Sequence, residues 1–257
     1  ESGMVKGCFS KVIVEPRLLK LNFGIMCLHI LLMSTFVALP GQLAAAGFPA
    51  AEHWKIYLVT MLISFVSVVP FIIYAEVKRK MKRVFVGCVA LLLIAEIVLW
   101  GAGPHFWELI AGVQLFFLAF NLMEALLPSL ISKESPAGYK GTAMGIYSTS
   151  QFLGVAIGGS LGGWVDGLFD SQTVFLAGAL LAMLWLFVAS TLKEPRYVSS
   201  LRVEIPDDVA IGDALKQRLE ATEGVSEVLI VPEERSAYVK IDSKVTNRFE
   251  VEQALKA

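Results

Sequence analysis

The chain has 257 residues, of which 56% are hydrophobic and only 18% charged, with a formal net charge of −1 and a mean hydropathy of +0.65. Soluble domains carry roughly a quarter charged residues, so this balance excludes an ordinary soluble globular protein, and it excludes a disordered chain as well. The near-zero net charge also removes any case for nucleic-acid binding by a strongly basic protein.

The apolar surplus falls in runs. A bilayer core about 30 Å thick needs about 20 apolar residues of helix, and six such runs occur, at residues 18–39, 54–75, 84–102, 107–131, 141–165 and 172–192. Six transmembrane helices are expected. Ahead of the first run stand Lys6, Lys11 and Arg17, a layout unlike a secretory signal peptide, and a chain opening on Glu1 reads as part of a longer one. Lys78, Arg79, Lys80, Lys82 and Arg83 crowd the second loop between runs, Lys133 and Lys140 the fourth, and Lys193 with Arg196 follow the last run. The intervening loops, residues 40–53, 103–106 and 166–171, hold no Lys or Arg, so the positive-inside rule puts both ends of the chain in the cytoplasm. Trp54, Trp100, Trp107 and Trp164 fall at the opposite ends of the runs, where indole rings favour the interface, whereas Trp185 lies inside the sixth run. Three scattered cysteines, Cys8, Cys27 and Cys88, form no CxxC pair and indicate neither a disulfide framework nor a zinc site.

After Tyr197 the composition changes: 8 Lys+Arg and 12 Asp+Glu follow in the last 60 residues, against 14 and 11 in all that precedes. Alternation through Leu201, Val203 and Ile205 predicts a strand, residues 212–221 an amphipathic helix, 224–231 a second strand, and Ala237, Val239 and Ile241 a third. Asn247 with Glu250 reads as a capping box opening a last helix that carries Phe249, Ala254 and Leu255. The order β-α-β-β-α is a ferredoxin-like split βαβ lacking its last strand. It resembles the small heavy-metal-associated domains, but Pro206-Asp207-Asp208-Val209 stands where those keep a metal-binding CxxC, and the tail has no Cys or His. No metal site is expected there; self-association or regulation is the functional reading of the tail.

An ionisable side chain inside a span costs several kcal/mol unless it meets a partner or water. Three qualify: His29 in the first run, Glu96 in the third and Glu124 in the fourth. A histidine and a desolvated glutamate can exchange protons near neutral pH, as proton-coupled transport requires. In the fifth run Gly154, Gly158, Gly159, Gly162 and Gly163 form a ladder at small-xxx-small spacing, which lets another helix backbone approach closely. The stretch from Gly158 to Gly162 also satisfies the GxSxG pattern around Ser160, but that chemistry needs a strand-to-helix turn, and the sixth run has no histidine to serve an intramembrane protease.

The stretch from Pro128 to Gly145, with Ser135-Pro136-Ala137-Gly138-Tyr139-Lys140-Gly141 at its centre, resembles the cytoplasmic junction repeated in both halves of major facilitator superfamily (MFS) transporters. The glycine ladder is similar to the antiporter motif GxxxGPxxGG of that superfamily, with Gly159 in the place of proline, and the basic loop at residues 76–83 keeps the charges of the GxxxDRxGRK signature without its glycine. Six helices followed by a CxxC-less ferredoxin-like tail resemble the YajR-type MFS drug/proton antiporters of bacterial inner membranes. The resemblance implies an all-α membrane domain, an MFS half with 3+3 inverted repeats, plus a small α+β cytoplasmic domain. Residues 1–17 would form a cytoplasmic linker, 18–192 the six-helix half, 193–199 a second linker and 200–257 the ferredoxin-like domain. It further implies an N-terminal six-helix half as partner, a small amphipathic substrate, a proton gradient in place of any cofactor, and alternating access. Glu124, His29 and Glu96 would couple protons, and Asn121, Gln114, Gln151 and Ser148 would line the substrate cavity. Phe116, Phe117 and Phe120 would either touch an apolar substrate or pack. The competing class is a non-transporting membrane sensor or anchor that presents the tail.

Overall fold

A computed structural model of the protein describes residues 12–256; Lys6, Cys8 and Lys11 lie outside the described residues. The described chain has six long helices, α1 (Pro16–Ala45), α2 (His53–Glu76), α3 (Met81–Ala102), α4 (Phe106–Glu134), α5 (Lys140–Leu168) and α6 (Ser171–Ser190). They are followed by β1 (Ser199–Glu204), α7 (Asp213–Ala221), β2 (Val225–Val231), β3 (Ser236–Ile241) and α8 (Arg248–Lys256). Two compact units result, one of residues 20–128 and 147–194, the other of the described residues up to Leu19 with 129–146 and 195 onward.

Each apolar run has become a helix because a backbone surrounded by hydrocarbon must satisfy its own hydrogen bonds, and a helix does so within one segment. Pro40, Pro70 and Pro128 are accommodated inside α1, α2 and α4. Among the described residues five helices, α1, α2, α3, α4 and α6, are long and apolar enough to cross a membrane. The expected span at 141–165 forms the helix α5 but does not reach that apolarity. Its eight glycines, from Gly141 to Gly167, contribute no apolar side chain, and hydroxyl and amide residues fill several other positions.

Within the first unit α3 packs along α6, and the Trp185 ring of α6 is fully buried, edge-on to Phe85 of α3 at 6.2 Å. Gly24 of α1 makes room for it: a Cβ there would stand 3.1 Å from the indole nitrogen. Trp185 is thus a packing residue, whereas Trp54, Trp100, Trp107 and Trp164 are exposed.

In the second unit the sheet order is β1-β3-β2 with both pairings antiparallel, the arrangement of a split βαβ without its fourth strand. Ala237, Val239 and Ile241 of the central strand join Val203, Leu215, Leu219, Val251 and Leu255 in one core. Ile205, expected at the end of β1, falls just past it and still reaches that core. Gly224 enters β2 at φ +88°, a left-handed conformation that glycine adopts without strain, and a Cβ there would press on Thr246 at 2.9 Å. Asn247 Oδ1 accepts from the Glu250 amide at 3.0 Å, but the Glu250 carboxylate returns to the Thr246 hydroxyl, so the expected capping box is half made. Phe249, expected on the apolar face of the last helix, is exposed; Val251 and Leu255 carry that face.

The opposite face of β3 presents Ser236, Tyr238 and Lys240, all buried. Lys240 Nζ donates to the carbonyls of Ser132 at 2.8 Å and Lys133 at 2.9 Å in the last turn of α4. Glu227 of β2 accepts the Ala137 amide at 2.9 Å and pairs with Arg196 at 3.3 Å, and Glu134 pairs with Arg17 at 3.1 Å.

Candidate functional site

α1 carries His29, buried with 4% of its surface exposed. Its Nδ1 lies 3.1 Å from the carbonyl of Ile25, and because a carbonyl can only accept, Nδ1 bears the hydrogen. Nε2 is left to face Glu124 Oε1 of α4 at 3.3 Å. With no proton on either, a nitrogen lone pair would confront a carboxylate lone pair. A favourable contact therefore needs one shared proton, as imidazolium with carboxylate or as imidazole with carboxylic acid. Glu124 Oε1 is buried and makes no aligned hydrogen bond, and Phe120, one turn before Glu124, closes over the imidazole edge-on at 5.8 Å.

The backbone that positions this pair is set by the glycine ladder. Met26, Ile30 and Ser34 of α1 meet Gly154, Gly158 and Gly162 of α5 in register, every fourth residue on each helix. A Cβ at Gly154 would collide with the Met26 carbonyl and come within 3.1 Å of His29 Cβ, so the close crossing occurs at the histidine itself. Gly159 and Gly163 have nothing within 4 Å of a notional Cβ and take no part in that crossing.

The other residues singled out in the sequence divide. Asn121, one turn before Glu124, points its amide at Met61 Sδ of α2 at 3.5 Å. Gln114 ties α4 to α2 through the Ser64 hydroxyl at 2.8 Å and the Thr60 carbonyl at 3.2 Å. Gln151 is half-buried and Ser148 exposed on α5, and Ser160 is exposed in the middle of that helix with no strand beside it. Phe116 and Phe117 are buried in packing. Glu96 is not brought to Glu124. It is buried where α3 meets α1 and α6, accepting from the Thr35 hydroxyl at 3.0 Å, with Gly178 leaving room for its second oxygen.

Two residues escaped the sequence reading. Tyr147 of α5 is buried within electrostatic reach of Glu124, and Asn22, two turns before His29 on α1, is buried with an oxygen that has no hydrogen-bond partner. The seven-residue spacing from Asn22 to His29 was the available signal for the latter. In the tail, the loop from Pro206 to Val209 is tied down by Arg235, whose guanidinium donates to the carbonyls of Pro206 at 2.7 Å and Val209 at 2.9 Å.

Residues 201–257 match the family model of the YajR YAM domain. Over 256 of its 257 residues the chain is 80% identical to the inner membrane transport protein YajR of Escherichia coli (strain K12), of which it covers 56%. It is 40% identical over 135 residues, 52% of the chain and 35% of the relative, to an uncharacterized transporter of Buchnera aphidicola subsp. Acyrthosiphon pisum. An uncharacterized MFS-type transporter of Pseudomonas aeruginosa (strain UCBPP-PA14) is 31% identical over 110 residues, 43% of the chain and 27% of the relative. The chain thus spans about half the length, or less, of the curated relatives it matches. Over its length the chain is therefore similar to part of the inner membrane transport protein YajR, and its C-terminal residues carry the YajR YAM domain.

Proposed function

We propose that the chain supplies six helices and the cytoplasmic domain of a proton-coupled secondary transporter in a bacterial inner membrane. The transporter exports a small amphipathic compound by alternating access. The observation that carries this reading is the His29–Glu124 contact of 3.3 Å between α1 and α4, which is favourable only while it holds a proton. Loss of that proton to one side of the membrane changes the force between the two helices. Such a change is what a two-state carrier needs to couple proton entry to rocking. Asn121 and Tyr147 extend polar chemistry from the pair toward the substrate path, and a second six-helix half closes the cavity from the other side. The basic turns support a reading in which both ends of the chain face the cytoplasm.

The test is proton flux in proteoliposomes of the intact protein under an imposed pH gradient, with ethidium as the amphipathic probe. Glu124→Gln and His29→Ala abolish proton-driven ethidium movement while the thermal midpoint in detergent is retained. Flux equal to that of the native protein in both variants overturns the assignment of the pair.

A further inference from the structure

α2 and α3 join through the basic turn that follows Glu76, and between their adjoining ends and α4 runs a groove of about 470 Å³. That volume lies in the ordinary range for small-molecule sites, roughly 300–1,000 Å³. Phe71 and Tyr74 of α2 form one wall and Leu118 of α4 lies at the back, so the groove is lined almost wholly by carbon. The third side is the face of α3 that presents Arg83, Gly87 and Leu91, successive turns of one helix. These three follow a definite order along the groove. Arg83 stands exposed at the mouth, its Nη1 donating to Tyr74 Oη at 3.1 Å, so that the guanidinium is held across the end. One turn further in, Gly87 has nothing within 4 Å of a notional Cβ, and the groove is open at that level. Leu91 then continues the apolar floor. Lys78 and Lys80, both exposed, belong to the turn that leads into α3, and the positive end of the α3 dipole lies beside Arg83.

A cation at the mouth followed by an open carbon-lined channel is the inverse image of one molecule: an anionic headgroup followed by an acyl chain. The groove opens between helices that are each long and apolar enough to cross a membrane, so a bilayer would supply that molecule at high local concentration. A neighbouring protein helix would fill the channel equally well but would leave the basic mouth without a counter-charge. We infer that this groove binds an anionic phospholipid, its phosphate on the Arg83 guanidinium and one acyl chain laid along Gly87 and Leu91. Arg suits the role because its planar fork meets two phosphate oxygens at once, and Tyr74 sets the orientation of that fork. The inference requires only insertion in a membrane and does not depend on the transport reading.

The intact protein in phosphatidylcholine nanodiscs, doped with phosphatidylglycerol carrying a diazirine on one acyl chain, provides the test. After irradiation the label is expected on peptides covering residues 70–74 and 83–91. Unlabelled phosphatidylglycerol should compete, whereas phosphatidylcholine and inorganic phosphate should not. Arg83→Gln should lower the labelling roughly fivefold, the effect of one interfacial cation, and Gly87→Trp should remove it by filling the channel. Should Gly87→Trp fail to fold, the Arg83→Gln comparison and the competition still decide. Equal labelling by a phosphatidylcholine probe, competition by inorganic phosphate, or a groove left unlabelled because protein covers it would each overturn the inference.

Discussion

The ammonium of Lys240, in the central strand of the C-terminal sheet, donates at 2.8 Å to the backbone carbonyl of Ser132 in the last turn of α4. The last carbonyls of a helix have no partner within it, and a cation there also meets the negative end of the dipole. The YAM domain therefore caps a helix that it does not belong to, through a lysine with none of its surface exposed. Replacing it with methionine keeps the bulk and removes the donor. A hydrogen bond to a charged group contributes about 1.5–3 kcal/mol, so Lys240→Met should speed amide exchange in residues 132–137 roughly tenfold or more. Exchange in the hydrophobic core of the tail, at Val203 and Leu219, should stay close to native.

The same lysine predicts a pH dependence. Burial, helped by Arg196 and Lys140 and opposed by Glu227 and Glu134, pushes the Lys240 ammonium down from 10.5 to about 8. Below pH 8 both the docked and the undocked states carry the charge, and docking bears the full desolvation cost. Between about 8 and 10.5 only the docked state gives up its proton, so docking tightens as pH rises through that window. The shift corresponds to at most about 3 kcal/mol. A neutral amine still has two hydrogens for the two carbonyls, which is why the contact survives deprotonation. The difference in thermal midpoint between native protein and Lys240→Met should therefore widen from pH 8 to pH 10; a difference that narrows over that range contradicts the assignment.

The long apolar runs and the β-α-β-β-α tail were legible because each rests on a local rule, span length in one case and period-two alternation in the other. His29 and Glu124 were legible because an ionisable group within a span is conspicuous wherever it points. What local rules do not carry is which face meets a neighbour. The ladder holds two interleaved rows of glycines, 154/158/162 and 159/163, and sequence spacing treats them alike; only the first row faces α1. By the same logic Lys240, alternating with Val239 and Ile241, reads as a solvent-facing strand residue until α4 is laid against it. Tyr147 and Asn22 carry no charge to mark them; Asn22 has only its spacing from His29, and Tyr147 becomes notable only through what surrounds it.

The two rows can be separated by adding a single methyl group to each. At Gly158 a Cβ would stand 2.6 Å from the Ile30 carbonyl and 2.7 Å from Ile30 Cα, and backbone cannot rotate out of the way. Overpacking of this kind typically costs 1–3 kcal/mol, so Gly158→Ala should lower the thermal midpoint in detergent by several degrees. Gly159→Ala meets nothing within 4 Å, and alanine is the better helix former, so that variant should equal or exceed the native protein. Equal losses in both variants would mean that α5 does not cross α1 on the Gly158 row.

Glu96 and Glu124 both lie within apolar helices, one buried and one half-buried, and their surroundings differ. Glu96 has 1% of its surface exposed and a threonine hydroxyl as partner, whereas Glu124 faces a base and keeps 36% of its side chain accessible. A proton that comes and goes needs accessible surface, and of the two Glu124 keeps more of it. Glu96→Gln retains an oxygen for the Thr35 hydroxyl and fits the space left by Gly178, so it should leave the pH profile of transport where it was. Thr35→Val strips the hydrogen bond and should cost about 1 kcal/mol of stability without moving that profile either. Glu124→Gln should remove the pH dependence altogether. Measuring flux against pH for the three variants in one proteoliposome preparation distinguishes them: a profile displaced by Glu96→Gln would make the carboxylate on α3 a second proton site.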